Sequence, residues 1–161
     1  MIFKKFFNKE SALVKEYAEK FNVLPSTMYL MLSRGLTSEE EIKDYLSTGK
    51  LIDPFLIKGM KEFCERIDLA KKVGDRILVF GDYDVDGISA TAIMLKTLKR
   101  LGIDADFYLP NRYEDGYGLS CAVIDKIEKK FYPDLIITVD CGISCWQEVE
   151  YAKEKGIEII I

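Results

Sequence analysis

The chain has 161 residues, of which 48% are hydrophobic and 31% charged, so it can form a packed core and is not of the disordered class. Its net charge of −4 excludes a protein that binds nucleic acid through overall positive charge, although a local basic groove remains compatible with it. The sequence has no apolar run long enough to span a membrane and no typical signal peptide. The absence of histidine excludes histidine-based triads, and four cysteines without a CxxC pair indicate a reduced, cytoplasmic protein.

The first part of the chain, residues 1–75, is predicted to form a small helical region. Apolar spacing predicts helices over 11–22 and 62–73, and a proline at the start and a glycine past the end predict another over 25–34. Both Thr37 and Ser38 stand three residues before a glutamate, which is capping-box spacing and predicts the start of a further helix.

From residue 76 onward, apolar strands alternate with helices. The predicted strands are 76–81, 104–110, 134–140 and 157–161, and the predicted helices between them are 88–101, 120–131 and 144–155. Right-handed crossovers between such strands give a parallel sheet with helices on both faces. The predicted fold class is therefore α/β and Rossmann-like over 76–161, with Trp146 of the last helix expected in the core.

Aspartates crowd the ends of two predicted strands. The segment FGDYDVDGIS places Asp82, Asp84 and Asp86 after the first strand, and VDCGIS places Asp140 at the end of the third. Because the working loops of a parallel sheet lie at the carboxyl ends of its strands, we expect Asp82, Asp84 and Asp140 to converge there. A divalent cation would offset their repulsion, so the pattern predicts a metal site. The alternative is that these aspartates are only turn and helix-capping residues.

Two other aspartate motifs fit less well. The pattern DxDxDG also opens an EF-hand loop, but that loop needs a glutamate at its twelfth position, where Ile93 stands. An aspartyl-phosphate phosphotransferase carries DxDGT after a strand, and here Ile88 occupies the place of the threonine. We therefore reject the EF-hand and favour the metal site over the phosphotransferase.

These motifs resemble those of a known family. VFGDYDVDGISATA and ITVDCGIS resemble the first and second motifs of the DHH phosphoesterase superfamily. The loop LPNRYEDGYGLS and the segments 24–46 and 53–67 resemble the RecJ-type single-stranded-DNA-specific exonucleases within it. The third motif, Asp-His-His, is absent, so residues 76–161 are interpreted as the N-terminal part of a DHH domain, truncated before that motif.

The resemblance implies a metal-dependent enzyme that hydrolyses single-stranded DNA in the 5′→3′ direction in repair and recombination, with two Mn²⁺ or Mg²⁺ ions. Carried over position by position, it implies that Asp82, Asp84 and Asp140 are the catalytic metal ligands. Asp86 either orients the loop or a metal-bound water, or caps a helix beginning at Gly87. The alternative functions are a DHH phosphodiesterase of short oligonucleotides or cyclic dinucleotides, and a catalytically inactive scaffold module in a replication or repair assembly.

The loop over 109–120 supplies the candidates for substrate binding. Arg112 is interpreted as a phosphate clamp, with a surface salt bridge to Glu114 or Asp115 as the alternative. Tyr117 either stacks on a nucleobase or packs within the loop, and the neighbouring Gly118 belongs to the same candidate site.

Two further expectations concern these 161 residues by themselves. We expect no appreciable nuclease activity, because the histidines of the third motif are missing. The strand 157–161 carries four isoleucines and is expected either to mediate self-association or to be disordered at its last residues. No membrane partner is expected.

Overall fold

Apolar residues at helical spacing form the helices that precede the sheet. The computed structural model describes residues 12–47, 49, 52–116 and 118–161. Within these residues the first four helices are α1 (Ala12–Lys20), α2 (Pro25–Ser33), α3 (Glu39–Leu46) and α4 (Met60–Val73), with a 3₁₀ turn at Pro54–Leu56 before α4. Of the two predicted capping boxes, the one at Ser38 begins α3: Glu41 N donates to Ser38 Oγ at 3.2 Å, and Ser38 N donates to Glu41 Oε2 at 2.9 Å.

The chain divides into two compact units, Met1–Asp53 and Pro54–Ile161. Helix α4 buries Ile67 and Ala70 in the same apolar cluster as residues of the sheet. The predicted boundary at residue 75 therefore falls inside the second unit, and α4 packs on the sheet. An amphipathic pattern predicts that a helix has an apolar face, but it does not identify the surface that covers this face.

The second unit contains a sheet of four parallel strands in the order β2-β1-β3-β4. Its elements are β1 (Ile77–Gly81), α5 (Val85–Arg100), β2 (Ala105–Tyr108), α6 (Cys121–Phe131), β3 (Leu135–Val139), α7 (Trp146–Glu154) and β4 (Glu158–Ile160). Strand β2 lies on one side of β1 and β3 on the other, so the direction of strand addition reverses between β1 and β3. Ligands of open α/β sheets bind at such switch points, outside the carboxyl ends of the strands.

Helices cover both faces of the sheet, which confirms the predicted α/β class. On one face, Leu78 and Phe80 of β1 pack with α6 and α7. On the other face, Ile77 and Val79 pack with α4 and α5. Each fully buried side chain of this kind contributes about 1.5–3 kcal/mol, which explains why β1 is a continuous apolar run. Among the described residues, no helix is long and apolar enough to cross a membrane.

Strand β4 is held against β3 and α4. Ile159 and Ile160 of β4 align with residues of β3 and are partly buried, while Ile161 is 49% exposed. Arg66 of α4 pairs with Glu158 at 2.8 Å, which ties the strand to the helix. Among the residues that the structure describes, β4 pairs with β3 alone. Self-association through this strand remains a prediction.

Candidate metal centre

Asp82 follows β1 directly and is 2% exposed. Its Oδ1 accepts a hydrogen bond from Tyr83 N at 2.7 Å. Gly87 lies against it so closely that a Cβ at Gly87 would be 2.4–2.6 Å from backbone atoms of Asp82. Only glycine therefore allows α5 to begin this close to the end of β1. The close approach therefore places Asp82 beside the amino terminus of α5, where the helix favours nearby negative charge.

Asp84 is the N-cap of α5. Its backbone is extended, and its Oδ1 accepts a hydrogen bond from Gly87 N at 3.0 Å. Because α5 begins at Val85, Asp86 lies in the first helical turn, and the interpretation of Asp86 as the cap of a helix starting at Gly87 is wrong. Aspartate is a favoured N-cap residue, so Asp82, Asp84 and Asp86 could each cap a helix by residue type. The backbone conformation decides that Asp84 caps α5.

Asp140 follows β3 in a left-handed conformation, with φ 59°. The ladder pairs Gly81 of β1 with Val139 of β3, so Asp82 and Asp140 follow directly aligned residues of adjacent strands. Lost hydration and the charges of Asp84, Asp86 and Asp82 raise the pKa of Asp140 above its ordinary value. The two aspartate motifs therefore follow adjacent strands, as predicted, and their charges repel one another.

The turn that carries Asp140 is held by buried groups. Thr138 is 5% exposed, and its Oγ1 donates to the carbonyl oxygen of Cys141 at 3.1 Å. Gly142 has φ 100°, and a Cβ there would lie 2.9 Å from Thr138 Oγ1. The turn therefore requires glycine at this position for both its conformation and its space.

The donor set fits a hard divalent cation in chemistry, since it consists of carboxylate oxygens crowded at one sheet edge. Among the described residues, no three or more histidine, cysteine, aspartate or glutamate side chains are placed to hold one metal ion together. Asp82 Oδ1 and Asp84 Oδ1 both accept hydrogen bonds from backbone N–H groups. Each bond uses one oxygen of its carboxylate and leaves the other able to coordinate a cation. Because these side chains are not placed around one ion, joint binding would require them to move closer together.

Arg112 lies at the same edge of the sheet. Its guanidinium carbon is 5.7 Å from the centroid of the Tyr83 ring, and Tyr83 stands between Asp82 and Asp84. This distance is within the range of a cation–π interaction. The alternative was a salt bridge of Arg112 with Glu114 or Asp115. Among the ion pairs of the described residues Arg112 has neither partner, and Asp115 pairs with Lys126 at 2.5 Å.

Tyr117 and Gly118 are the remaining candidates in the loop before α6. Tyr117 lies outside the described residues. Gly118 is buried and has φ 72°, the left-handed region that favours glycine. Gly118 therefore fixes the chain direction near the start of α6.

Two large apolar side chains, Ile143 and Trp146, are exposed in the segment that runs from β3 into α7. Trp146 is 70% exposed, so its expected place in the core is wrong. It lies in the first turn of α7, whereas Ala152 is the buried residue of that helix. Ile143 is 92% exposed in the same segment. Hydrophobicity alone favours burial and therefore misled the prediction. The signal for exposure was the position of both residues just after Asp140, at the edge of the sheet where working loops lie.

Cys141, next to Asp140, is not a ready metal ligand. Burial raises the pKa of its thiol to about 12, with a further contribution from the charge of Asp82. Its Sγ lies 4.0 Å from the carbonyl oxygen of Phe80. Because metals bind the thiolate, this arrangement favours a structural role in the core.

Comparison with known proteins identifies the family. A model described as DHH family, N-terminal domain, matches residues 76–161, which is more than half of the chain. The chain belongs to the DHH family. The predicted resemblance to its members is therefore confirmed, and the matched residues cover all four strands of the sheet.

Curated relatives of this DHH-family chain include two single-stranded-DNA-specific exonucleases named RecJ. The protein of Bacillus subtilis (strain 168) is 39% identical over 150 residues, which are 92% of this chain and 19% of the relative. That of Escherichia coli (strain K12) is 37% identical over 138 residues, which are 85% of this chain and 23% of the relative. The chain thus spans about a fifth of the length of these relatives.

Two solved structures resemble this DHH-family chain. A crystal structure of exonuclease RecJ bound to manganese matches with a TM-score of 0.58 and 38% identity, over 64% of this chain and 26% of that one. The crystal structure of RecJ from Thermus thermophilus in complex with Mn²⁺ matches with a TM-score of 0.56 and 29% identity, over 92% of this chain and 20% of that one. The sequence resemblance to RecJ therefore extends to the fold.

The raised pKa of Asp140 predicts that Asp140→Asn stabilises this DHH-family chain when no divalent metal is present. The folded state binds the proton of Asp140 more tightly than the unfolded state, so the free energy of unfolding falls as the pH rises from 3.8 through the raised pKa. Asparagine removes this loss and tolerates the left-handed backbone. In urea unfolding with EDTA, we expect the variant to be more stable than wild type at pH 7, by a margin that shrinks as the pH is lowered below 3.8.

The control is Asp106→Asn at an exposed position of β2, which should not give the stabilisation expected of Asp140→Asn. Saturating Mn²⁺ should abolish or reverse the advantage of Asp140→Asn, because a bound cation stabilises the carboxylate. An Asp140→Asn protein less stable than wild type at pH 7 in EDTA would contradict the repulsion between Asp140 and the aspartates that follow β1.

Proposed function

We propose that this chain supplies part of the metal site and of the phosphate-binding loop of a metal-dependent exonuclease, which hydrolyses phosphodiester bonds of single-stranded DNA in the 5′→3′ direction. One observation carries the proposal: Asp82 and Asp140 follow aligned residues of adjacent parallel strands at the switch point of the sheet, where their charges repel. The relatives named single-stranded-DNA-specific exonuclease support it.

Asp82, Asp84 and Asp140 would hold Mn²⁺ or Mg²⁺ as part of a two-metal site, and manganese in the two solved RecJ structures supports this assignment. When bound, such ions activate water and stabilise the negative charge that develops on the phosphate. The residues of this chain fix the positions of the negative charges. Asp84 does so through its cap on α5, and Asp86 in the first turn would orient the loop or a water.

The substrate would be bound by the loop between β2 and α6. Arg112, held over Tyr83, would contact a phosphate of the DNA, since its planar fork suits bidentate contact. Tyr117 would stack on a nucleobase, and Gly118 would give the chain the turn that this requires. We place the reaction in DNA repair and recombination in the cytoplasm, which agrees with the four free cysteines.

Two alternative functions receive less support. The RecJ relatives match 85–92% of the chain, including the N-terminal helices as well as the DHH region, which favours the exonuclease over a phosphodiesterase of short oligonucleotides or cyclic dinucleotides. Asp82, Asp84 and Asp140 are all present, which disfavours an inactive scaffold.

The test uses the full-length protein that carries this sequence, with single-stranded DNA labelled at either end and a duplex control. We expect Mn²⁺-dependent release of the 5′ label from single-stranded DNA, loss of this activity in EDTA, and intact duplex. Failure to degrade single-stranded DNA in Mn²⁺ would overturn the proposal. Hydrolysis of cyclic dinucleotides or very short oligonucleotides alone would support the phosphodiesterase instead.

The 161 residues by themselves are expected to show no appreciable nuclease activity. Three carboxylates supply only part of two coordination shells, and no histidine is available to complete them. Incubation of the 161-residue chain with labelled single-stranded DNA and Mn²⁺ should leave the DNA intact. Clear degradation that Asp84→Ala abolishes would show that the aspartates suffice.

A further inference from the structure

Asp115 is a nearly buried carboxylate outside the metal centre, with a side chain 3% exposed. Three donors converge on it: Tyr108 Oη at 2.9 Å, Asn111 N at 2.8 Å and Lys126 Nζ at 2.5 Å. They come from the end of β2, from the loop itself and from α6. Burial opposes ionisation, yet the hydrogen bonds, with that from Lys126 first, hold the pKa of Asp115 below its usual range. Removal of this acceptor would break all three of these hydrogen bonds at once.

These bonds close the loop on itself around Arg112. Asp115 N donates to the carbonyl oxygen of Asn111 at 2.8 Å, while Asp115 Oδ2 accepts from Asn111 N. Asn111 Oδ1 also accepts from Tyr113 N at 3.0 Å. Arg112 thus lies between the two ends of a fixed turn. From there its guanidinium reaches the ring of Tyr83 at the end of β1.

We infer that Asp115 is a positioning residue that holds the guanidinium of Arg112 over the ring of Tyr83, so that a phosphate of the substrate meets a cation already in place. This inference rests on the proposed function for its substrate. A free arginine side chain loses rotamer freedom when it binds, and a side chain that is already held loses less. Asp115 therefore acts on phosphate binding through Arg112, without touching the phosphate.

The first experiment reads the position of Arg112 without DNA or metal. In NMR spectra of the 161-residue chain, the side-chain protons of Arg112 should be shifted by the aromatic ring below them. Asp115→Ala should move them towards the values of a free arginine, and Tyr83→Leu should do the same. An Arg112 shift that persists in Asp115→Ala, or one absent from the wild type, would overturn the inference.

A matched control is Asp125, which lies where α6 meets α7. Asp125 accepts a hydrogen bond from Tyr151 Oη at 2.8 Å and pairs with Lys155 at 3.0 Å, which repeats the tyrosine–lysine–carboxylate arrangement away from Arg112. Asp125→Ala should leave the Arg112 signals unchanged. A shift of those signals in Asp125→Ala would mean that any loss of packing around α6 moves Arg112, and would overturn the specific role of Asp115.

The second experiment is a double-mutant cycle on binding of single-stranded DNA to the full-length protein. We expect Arg112→Gln and Asp115→Ala each to raise Kd by about tenfold, and the double variant to bind no more weakly than Arg112→Gln alone. In both single variants, the KM for single-stranded DNA should rise by a larger factor than kcat falls. Additive losses would overturn the inference, because Asp115 would then act independently of Arg112.

Two milder variants keep the test decisive if Asp115→Ala does not fold. Asp115→Asn retains an acceptor for Asn111 N and Tyr108 Oη but loses the charge opposite Lys126, so its defect should be intermediate. Lys126→Met removes only that ion pair and should resemble Asp115→Asn. Wild-type binding in both would overturn the inference. If the wild type does not bind DNA, the proposed function fails, and the NMR experiment still decides the position of Arg112.

Discussion

Replacing Asp84 by asparagine is expected to abolish most Mn²⁺ binding while leaving α5 as stable as in the wild type. Asp84 has two roles that one substitution separates, because its Oδ1 caps α5 through Gly87 N and its charge is proposed to hold the cation. Asparagine caps a helix as well as aspartate does, but it is neutral. Loss of an outer partner of a metal ligand costs about 10–100-fold in affinity, and loss of a charged ligand is expected to cost no less.

The matched variant is Asp84→Ala, which removes both the charge and the cap. We expect it to lose the same metal affinity and in addition about 1 kcal/mol of the free energy of unfolding. Calorimetric titration with Mn²⁺ and urea unfolding in EDTA measure the two effects separately. Wild-type affinity in Asp84→Asn would show that Asp84 is a capping residue and not a ligand.

Gly87→Ala is expected to lower the free energy of unfolding by about 3 kcal/mol and to weaken Mn²⁺ binding strongly. Two effects oppose each other at this position. Alanine is the better helix former by about 1 kcal/mol, which favours the substitution within α5. Its Cβ, however, would lie 2.4 Å from the carbonyl oxygen and 2.5 Å from the nitrogen of Asp82. Backbone atoms cannot move aside as a flexible side chain does, so Asp82 and the start of α5 would separate.

The control is Ser89→Ala at an exposed position of the same helix. This variant changes helix propensity without bringing a Cβ against the backbone of Asp82, and it should be neutral or slightly stabilising. Urea unfolding and Mn²⁺ titration of both variants give the comparison. A Gly87→Ala protein as stable as the wild type would mean that propensity prevails and that the junction between β1 and α5 is not tightly packed.

The sequence by itself indicated the helices and strands and the residue types of the candidate site. A strand buried on both faces must be apolar throughout, so the run at 76–81 already indicated β1. The glutamate three residues after Ser38 marked the start of α3, because capping is a local interaction. The aspartates of the two motifs were recognisable for a similar reason. Their position after strands follows from chain order, and carboxylates at strand ends are a local pattern.

The tertiary structure alone decided how these helices, strands and aspartates come together. Nothing in chain order states that β3 joins β1 opposite β2, yet this pairing aligns Gly81 with Val139 and thereby brings Asp82 near Asp140. The surface covered by α4, the exposure of Trp146 and the pairing of Asp115 with Lys126 were likewise undetermined. Each depends on contacts between residues distant in sequence or on competition among several possible partners. Local patterns carry no information about which partner prevails, since that depends on packing the whole sheet.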